Sequence, residues 1–86
     1  MQLDILTPEG QVYTGEADLV QLPGVDGLFE VLKNHAPLIA ALAEGSIKVE
    51  GGGTTRRFQV RGGFVEVLKN RISVLVEAAN ETAEAA

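Results

Sequence analysis

The sequence predicts an all-β domain, and three observations carry that prediction. Ten glycines and three prolines divide 86 residues into apolar segments too short and too closely spaced for long helices. β-Branched residues crowd those segments. Two stretches, Ser46-Ile47-Lys48-Val49-Glu50 and Arg57-Phe58-Gln59-Val60-Arg61, alternate with period two on either side of Gly51-Gly52-Gly53, the pattern of a hairpin with one solvated face. Read from the residues alone, the chain has eight or nine strands in one sandwich or flattened barrel.

Taken in order, Gln2-Leu3-Asp4-Ile5 alternates and Thr7-Pro8-Glu9-Gly10 supplies turn chemistry before a short strand at Val12-Tyr13-Thr14. From Glu16 to Leu22 the polar positions are 16, 18 and 21, so the inward phase changes between Leu19 and Val20. That predicts a bulge or a strand buried on both faces. Pro23 and Gly24 predict a type II turn with positive φ at Gly24. Pro37 biases Ala36 to extended conformations, and an apolar segment follows. Phe64–Leu68 and Ile72–Glu77 form a second hairpin through a tight turn at Lys69-Asn70. The alanine-rich end, with Asn80 available as an N-cap, is shorter than the roughly 12–15 residues an isolated helix needs. The reading is therefore a domain over 1–79 and a tail over 80–86, frayed or the start of an absent helix.

Composition narrows the function classes. Twelve acids against seven bases give a net charge of −5, which opposes nonspecific binding to a polyanion. The charge is uneven: residues 1–50 hold eight acids and two bases, residues 51–86 four acids and five bases, so the halves carry −6 and +1. No apolar run approaches the roughly 20 residues of a membrane span, and the start lacks the basic and apolar regions of an export signal. A cytosolic setting is the expectation. With no cysteine, disulfides and thiolate zinc sites are excluded. Only about 60–65 % of the unfolded surface is buried at this length, so docking on a larger partner is a natural source of added stability.

Candidate chemistry is sparse. His35 is the single histidine and has no evident orienting partner, so a loop or partner-surface hydrogen bond is preferred over a general base or ligand role. Gly24-Val25-Asp26-Gly27 lacks the lysine-serine ending of a phosphate loop and reads as a turn. Arg56, Arg57 and Arg61 form either a solvated strand face or an anion site, and the solvated face is preferred. Asp26 and Glu30 flank Leu28 and Phe29, an arrangement that suits the charged rim of an apolar contact. Lys69 at a hairpin tip suggests a lipoyl- or biotinyl-like carrier domain, but Leu68 and Asn70 match neither family's flanks. No catalytic residue, cofactor or metal is expected.

A longer resemblance then emerges. Leu22-Pro23-Gly24-Val25-Asp26-Gly27-Leu28-Phe29-Glu30-Val31-Leu32-Lys33-Asn34-His35-Ala36-Pro37-Leu38 resembles the hallmark of the F-type ATP synthase epsilon subunit, a Pro-Gly turn, a Gly-x-x-Gly strand and a His-Ala-Pro-Leu corner. Leu3-Asp4-Ile5-Leu6-Thr7-Pro8-Glu9, Tyr13-x-Gly15-Glu16, Glu44-Gly45-x-Ile47, Gly62-Gly63-Phe64-x-Glu66-Val67 and Val74-Leu75-x-Glu77 follow the same family in order, across nearly all of residues 2–79. Glu30 stands where many members have the second glycine, and Lys33 where many have proline. The chain stops before the two-helix C-terminal domain of many members, so their regulatory functions are not carried over.

The resemblance implies a flattened ten-stranded β-sandwich of two sheets, non-catalytic, in the central stalk. It implies partners in the gamma subunit and the polar loops of the membrane c-ring, and a peripheral place at the cytoplasmic face of the bacterial plasma membrane. It maps the ring contact to Asp26, Gly27, Leu28, Phe29 and Glu30, where acids meet basic ring loops. It maps the gamma contact to Thr7, His35, Ala36, Pro37, Leu38 and Ala40.

Overall fold

A computed structural model describes residues 1–82. Eight strands follow one another: β1 Gln2–Thr7, β2 Gly10–Glu16, β3 Leu19–Gly24, β4 Gly27–Leu32, β5 Leu38–Leu42, β6 Gly45–Gly51, β7 Thr54–Leu68 and β8 Arg71–Thr82. The all-β class is as the sequence predicts. Both expected hairpins are present, β6–β7 through Gly52 and Gly53 and β7–β8 through Lys69 and Asn70. All four of these turn residues have positive φ, as two-residue turns between twisted strands require.

The strand order β2-β1-β8-β7-β5-β3-β4, with β6 joining β3 to β7, is one continuous hydrogen-bonded path. It folds into two layers because β7 and β8 each belong to both. Residues 54–60 of β7 pair with β6, whereas residues 63–67 pair with β5. The buried positions of β7 move from Phe58 and Val60 to Val65 and Val67, and those of β8 run Ile72, Val74 and Val76 before shifting to half-buried Ala79. Both strands therefore turn their inward face over at Gly62-Gly63 and Glu77-Ala78. Counting each of these two strands twice gives ten, which reconciles eight continuous strands with the ten that the resemblance implies.

Gly63 makes that corner. Its φ is 155°, and a Cβ there would lie 2.0 Å from the Leu75 carbonyl oxygen. No other residue permits so close an approach of two backbones.

Side chains from both layers form one core. Leu3, Ile5, Val65, Val67, Ile72 and Val74 from one layer meet Val20, Leu22, Val31, Ile47, Val49, Phe58 and Val60 from the other. No side-chain polar atom among the described residues is buried without a partner.

Three local expectations are resolved or corrected. Of the two readings of the phase change near Leu19, the bulge is absent, since β3 pairs with β4 without interruption from Leu19 to Gly24. The strand covered on both faces is found, no residue of β3 being exposed. The chain changes layers just before it: the Ala17 amide bonds to Met1 and the next, Asp18, to Glu50. The irregularity lies in β1–β2, where the register slips between Ile5 and Leu6 and leaves Val12 without a partner. Positive φ occurs at Gly27 (127°), not at Gly24, because Pro23-Gly24 ends a strand and Val25-Asp26 makes the turn. Finally, Asn80, Glu81 and Thr82 neither cap a helix nor fray. They pair with Gln59, Phe58 and Arg57, and the rest of the predicted tail, 83–86, lies outside the described residues.

The end of β8 is held by more than its ladder. Arg56 donates two hydrogen bonds of 2.7 Å to Glu81 and lies 4.6 Å over the Tyr13 ring and 5.7 Å from the Phe58 ring. Tyr13 and Phe58, from opposite layers, are 5.3 Å apart at a 56° tilt. The guanidinium thus covers the seam between the layers, a planar cation stacked on aromatic faces.

Candidate interaction surfaces

Two segments of interest sit at opposite ends of β4. Its first residue leaves the Val25-Asp26 turn and its last enters the Lys33–Pro37 connection. Six residues at about 3.3 Å each separate the two by roughly 20 Å.

At the first end, Asp26, Gly27 and Leu28 are exposed, Phe29 is half-buried against the core and Glu30 is exposed. Alternation along β4 explains this. Phe29 and Val31 lean inward, whereas Leu28 and Glu30 stand out. Glu30 accepts a 3.3 Å hydrogen bond from its cross-strand neighbour Gln21. The turn is pinned to β5 by the Val25 amide bonding to the Ala41 carbonyl. Between them lies an open groove of about 480 Å³, lined by Val25, Asp26, Leu28, Phe29, Ile39 and Ala41 among others. Three of its apolar side chains are well exposed: Ile39 at 72 %, Leu28 at 68 % and Val25 at 59 %. Sequence reading missed Ile39, Ala41 and Val25. The tertiary contact between the turn and β5 is what gathers them, and no local pattern encodes it.

At the other end, the Leu32 carbonyl accepts from the His35 amide and Asn34 takes φ 65°, closing a turn that demands positive φ at its third residue. The His35 ring, half-buried, lies with Nδ1 2.7 Å from the Ala36 carbonyl oxygen. Ala36 and Pro37 are exposed, and Leu38 and Ala40 are half-buried against the core. Pro37 and Leu38 border a second apolar groove, about 350 Å³, with Ile39, Val67 and Leu68.

Of the six residues in the expected gamma contact, the structure brings His35, Ala36, Pro37 and Leu38 together. Ala40 borders the groove beside Asp26. Thr7 lies at the far end of β1, whose beginning is at Arg71 next to the β7–β8 turn.

An apolar row crosses the outer face of one layer. Ala41, Phe64, Leu75 and Leu6 are successive cross-strand partners on β5, β7, β8 and β1. Phe64 and Leu75 are 48 % and 41 % exposed. Beside it Asp4 accepts from Thr14 at 2.6 Å and from Gln2 at 3.1 Å, with Arg71 3.4 Å away. The Thr14 hydroxyl, aided by Gln2 and Arg71, holds the Asp4 carboxyl below its ordinary value against the opposing effect of burial.

The remaining candidates resolve simply. Lys69 is exposed at the hairpin tip, as expected. Arg56 is taken up by Glu81, which raises the guanidinium pKa, and Arg61 lies 3.9 Å from Glu77. Among the described residues no cluster of three His, Asp or Glu side chains is placed to hold a metal.

Comparison with known proteins is consistent across sequence and structure. The family model described as ATP synthase, Delta/Epsilon chain, beta-sandwich domain matches residues 1–82. The ATP synthase epsilon chain of Caulobacter vibrioides is 41 % identical over 83 residues, covering 96 % of each chain. That of Symbiobacterium thermophilum is 49 % identical over 80 residues, 92 % of this chain and 58 % of the relative. That of Desulforamulus reducens is 46 % identical over 78 residues, 91 % and 59 %. The chain thus spans about three fifths of the latter two relatives. A chain in the structure of Euglena gracilis mitochondrial ATP synthase, OSCP/F1/c-ring, superposes with a TM-score of 0.85 at 22 % identity, over 92 % of this chain and 51 % of that one. One from the Tetrahymena thermophila central stalk/c-ring gives 0.79 at 15 %, over 93 % and 65 %. These structural likenesses establish the fold.

Proposed function

The chain belongs to the ATP synthase delta/epsilon β-sandwich family, and we propose from that premise that it is a non-catalytic rotor subunit of an F-type ATP synthase, joining the gamma subunit to the c-ring. The family match over residues 1–82 carries the reading. It replaces the carrier-domain alternative built on Lys69. In this role the domain sits peripherally at the cytoplasmic face of a bacterial plasma membrane and helps couple ion flow to ATP synthesis.

The geometry supports a two-partner part. The Asp26–Glu30 segment presents two carboxylates around exposed Leu28, a charged rim about an apolar contact suited to basic ring loops. The His35–Leu38 segment lies at the other end of β4, so one strand separates the two docking points. An exposed apolar row such as Ala41, Phe64, Leu75 and Leu6 is the feature expected of a face covered in an assembly. The continuous ladder through β7 and β8 makes the body between the contacts stiff, which transmission of torque requires.

The test is copurification of this chain with purified gamma subunit, with the mass of the complex determined after size exclusion. A stable one-to-one complex is expected. Folded protein that elutes alone overturns the reading.

A further inference from the structure

Two asparagines, 36 residues apart, face each other across the end of the sandwich. Asn70, at the tip of the β7–β8 hairpin, accepts a 2.6 Å hydrogen bond from the Asn34 amide through Oδ1 and donates a 2.9 Å bond from Nδ2 to Asn34 Oδ1. Its own carbonyl accepts from the Gln2 amide at 2.9 Å. Both asparagines are in the left-handed region, at φ 65° and 60°, the conformation that turns each side chain toward the other element and that asparagine tolerates better than most residues. Between β4 and β5 the chain from Lys33 to Pro37 has no ladder of its own. It is tied through its main chain by the His35–Leu32 turn bond and by the bond from the Asn34 amide to Asn70.

We propose that Asn70 is a positioning residue for partner docking: its carboxamide latches Asn34 and so presets the His35-Ala36-Pro37-Leu38 segment in the shape that the gamma subunit binds. The inference rests on the rotor reading and adds to it the residue that orders the contact. Asn70 itself need not touch the partner. Its effect is preorganisation, which removes the ordering cost of a five-residue connection at the moment of binding. Lys69 and Asn70 also form the hairpin turn, so their spacing in sequence already serves β7–β8. The second use is visible only where the two turns meet.

The turn conformation offers a clean probe. Asn70→Gly keeps the left-handed backbone, since glycine is favoured at the second position of such a turn, and deletes the side chain that carries the carboxamide. The expected result has three parts. The melting temperature falls by no more than a few degrees, because glycine's ease in the left-handed region offsets part of the lost hydrogen bonding. Hydrogen exchange of the Asn34 amide accelerates in the free protein. The dissociation constant for purified gamma subunit rises about tenfold, the scale of one net hydrogen-bonded pair. Asn34→Gly, which retains the bond from its own amide to Asn70 Oδ1, is expected to lose less affinity than Asn70→Gly.

Unchanged Asn34 exchange in Asn70→Gly overturns the latch. Faster exchange with unchanged gamma affinity overturns its role in docking. Failure of the unaltered chain to bind gamma overturns the rotor reading and the docking role together, and the exchange measurement still decides the latch.

Discussion

Single side chains show where this small domain has no latitude. Phe58 is 1 % exposed and packs on Tyr13 across the interlayer seam, so Phe58→Ala removes a large core group and leaves a cavity. A loss of about 3–5 kcal/mol is expected, readable as a lower urea midpoint with an unchanged slope. An unaltered melting curve would show that the seam can close without the ring. Gly63 is the stricter position. A methyl group there meets the Leu75 carbonyl oxygen at 2.0 Å and the Val76 Cα at 2.8 Å on a backbone that side chains rarely adopt, and both of these atoms belong to the main chain and cannot rotate away. Gly63→Ala is expected to cost on the order of 3 kcal/mol or more and to leave little folded protein at 37 °C. Soluble Gly63→Ala with wild-type stability would refute the corner geometry. The sequence displayed Phe58 as an inward residue by alternation alone. It displayed Gly62-Gly63 only as a family signature, because the need for glycine arises from a strand 12 residues away.

Among the elements, the β7–β8 hairpin links most of the rest, and its two ends are fastened by charge. Glu81 is held below its ordinary pKa chiefly by its hydrogen bonds from Arg56, and Asp4, on β1 beside β8, chiefly by the Thr14 hydroxyl. Both carboxyls therefore release protons more readily folded than unfolded. The unfolded chain binds protons first as pH falls, so the stability these groups contribute is present above the unfolded values near pH 4 and is lost progressively below them. The melting temperature is expected to drop as pH falls below about 4, and the paired change Asp4→Asn with Glu81→Gln should flatten that dependence. An equally steep acid limb in the double variant would place the proton uptake elsewhere. Arg56→Ala should in turn speed amide exchange over Asn80–Thr82 while sparing Val65–Leu68, since only the former segment is clasped by the guanidinium. Equal exchange in both segments would show that the backbone ladder alone holds the strand's end.

At the scale of the whole molecule, the two proposed docking points lie one strand apart, and the stiffness between them depends on the core. Core side chains from both layers form a single cluster, and β7 and β8 run through both, so unfolding should be one cooperative transition. Divergent denaturation midpoints for the two layers, reported by probes in β2 and β4, would contradict that. For the proposed ring contact, Glu30→Lys reverses charge at an exposed position that accepts one long hydrogen bond, from Gln21. The melting curve should move little, and attachment to the c-ring should weaken severalfold, more at low salt than at high. Ring binding that is intact in a folded Glu30→Lys variant would remove Glu30 from the interface.

The sequence by itself determined the all-β class, both hairpins, the inward positions of Phe58, Val60, Ile47 and Val49, and the family, because these follow from period-two alternation, turn residues and an ordered set of short motifs, all local along the chain. It left the stretch around Leu19 open between a bulge and a strand covered on both faces and misjudged the end after Glu77, since phase changes and alanine-rich tails look alike whether a strand bulges, stops or passes into the other layer. Only the tertiary structure decided that β7 and β8 turn a corner, that Arg56 covers the interlayer seam, that Ile39 and Val25 share a groove with Asp26, and that Asn70 reaches Asn34. Each of these is a meeting of segments distant in sequence, and such meetings are set by how two sheets close on one core rather than by the preferences of the residues that meet.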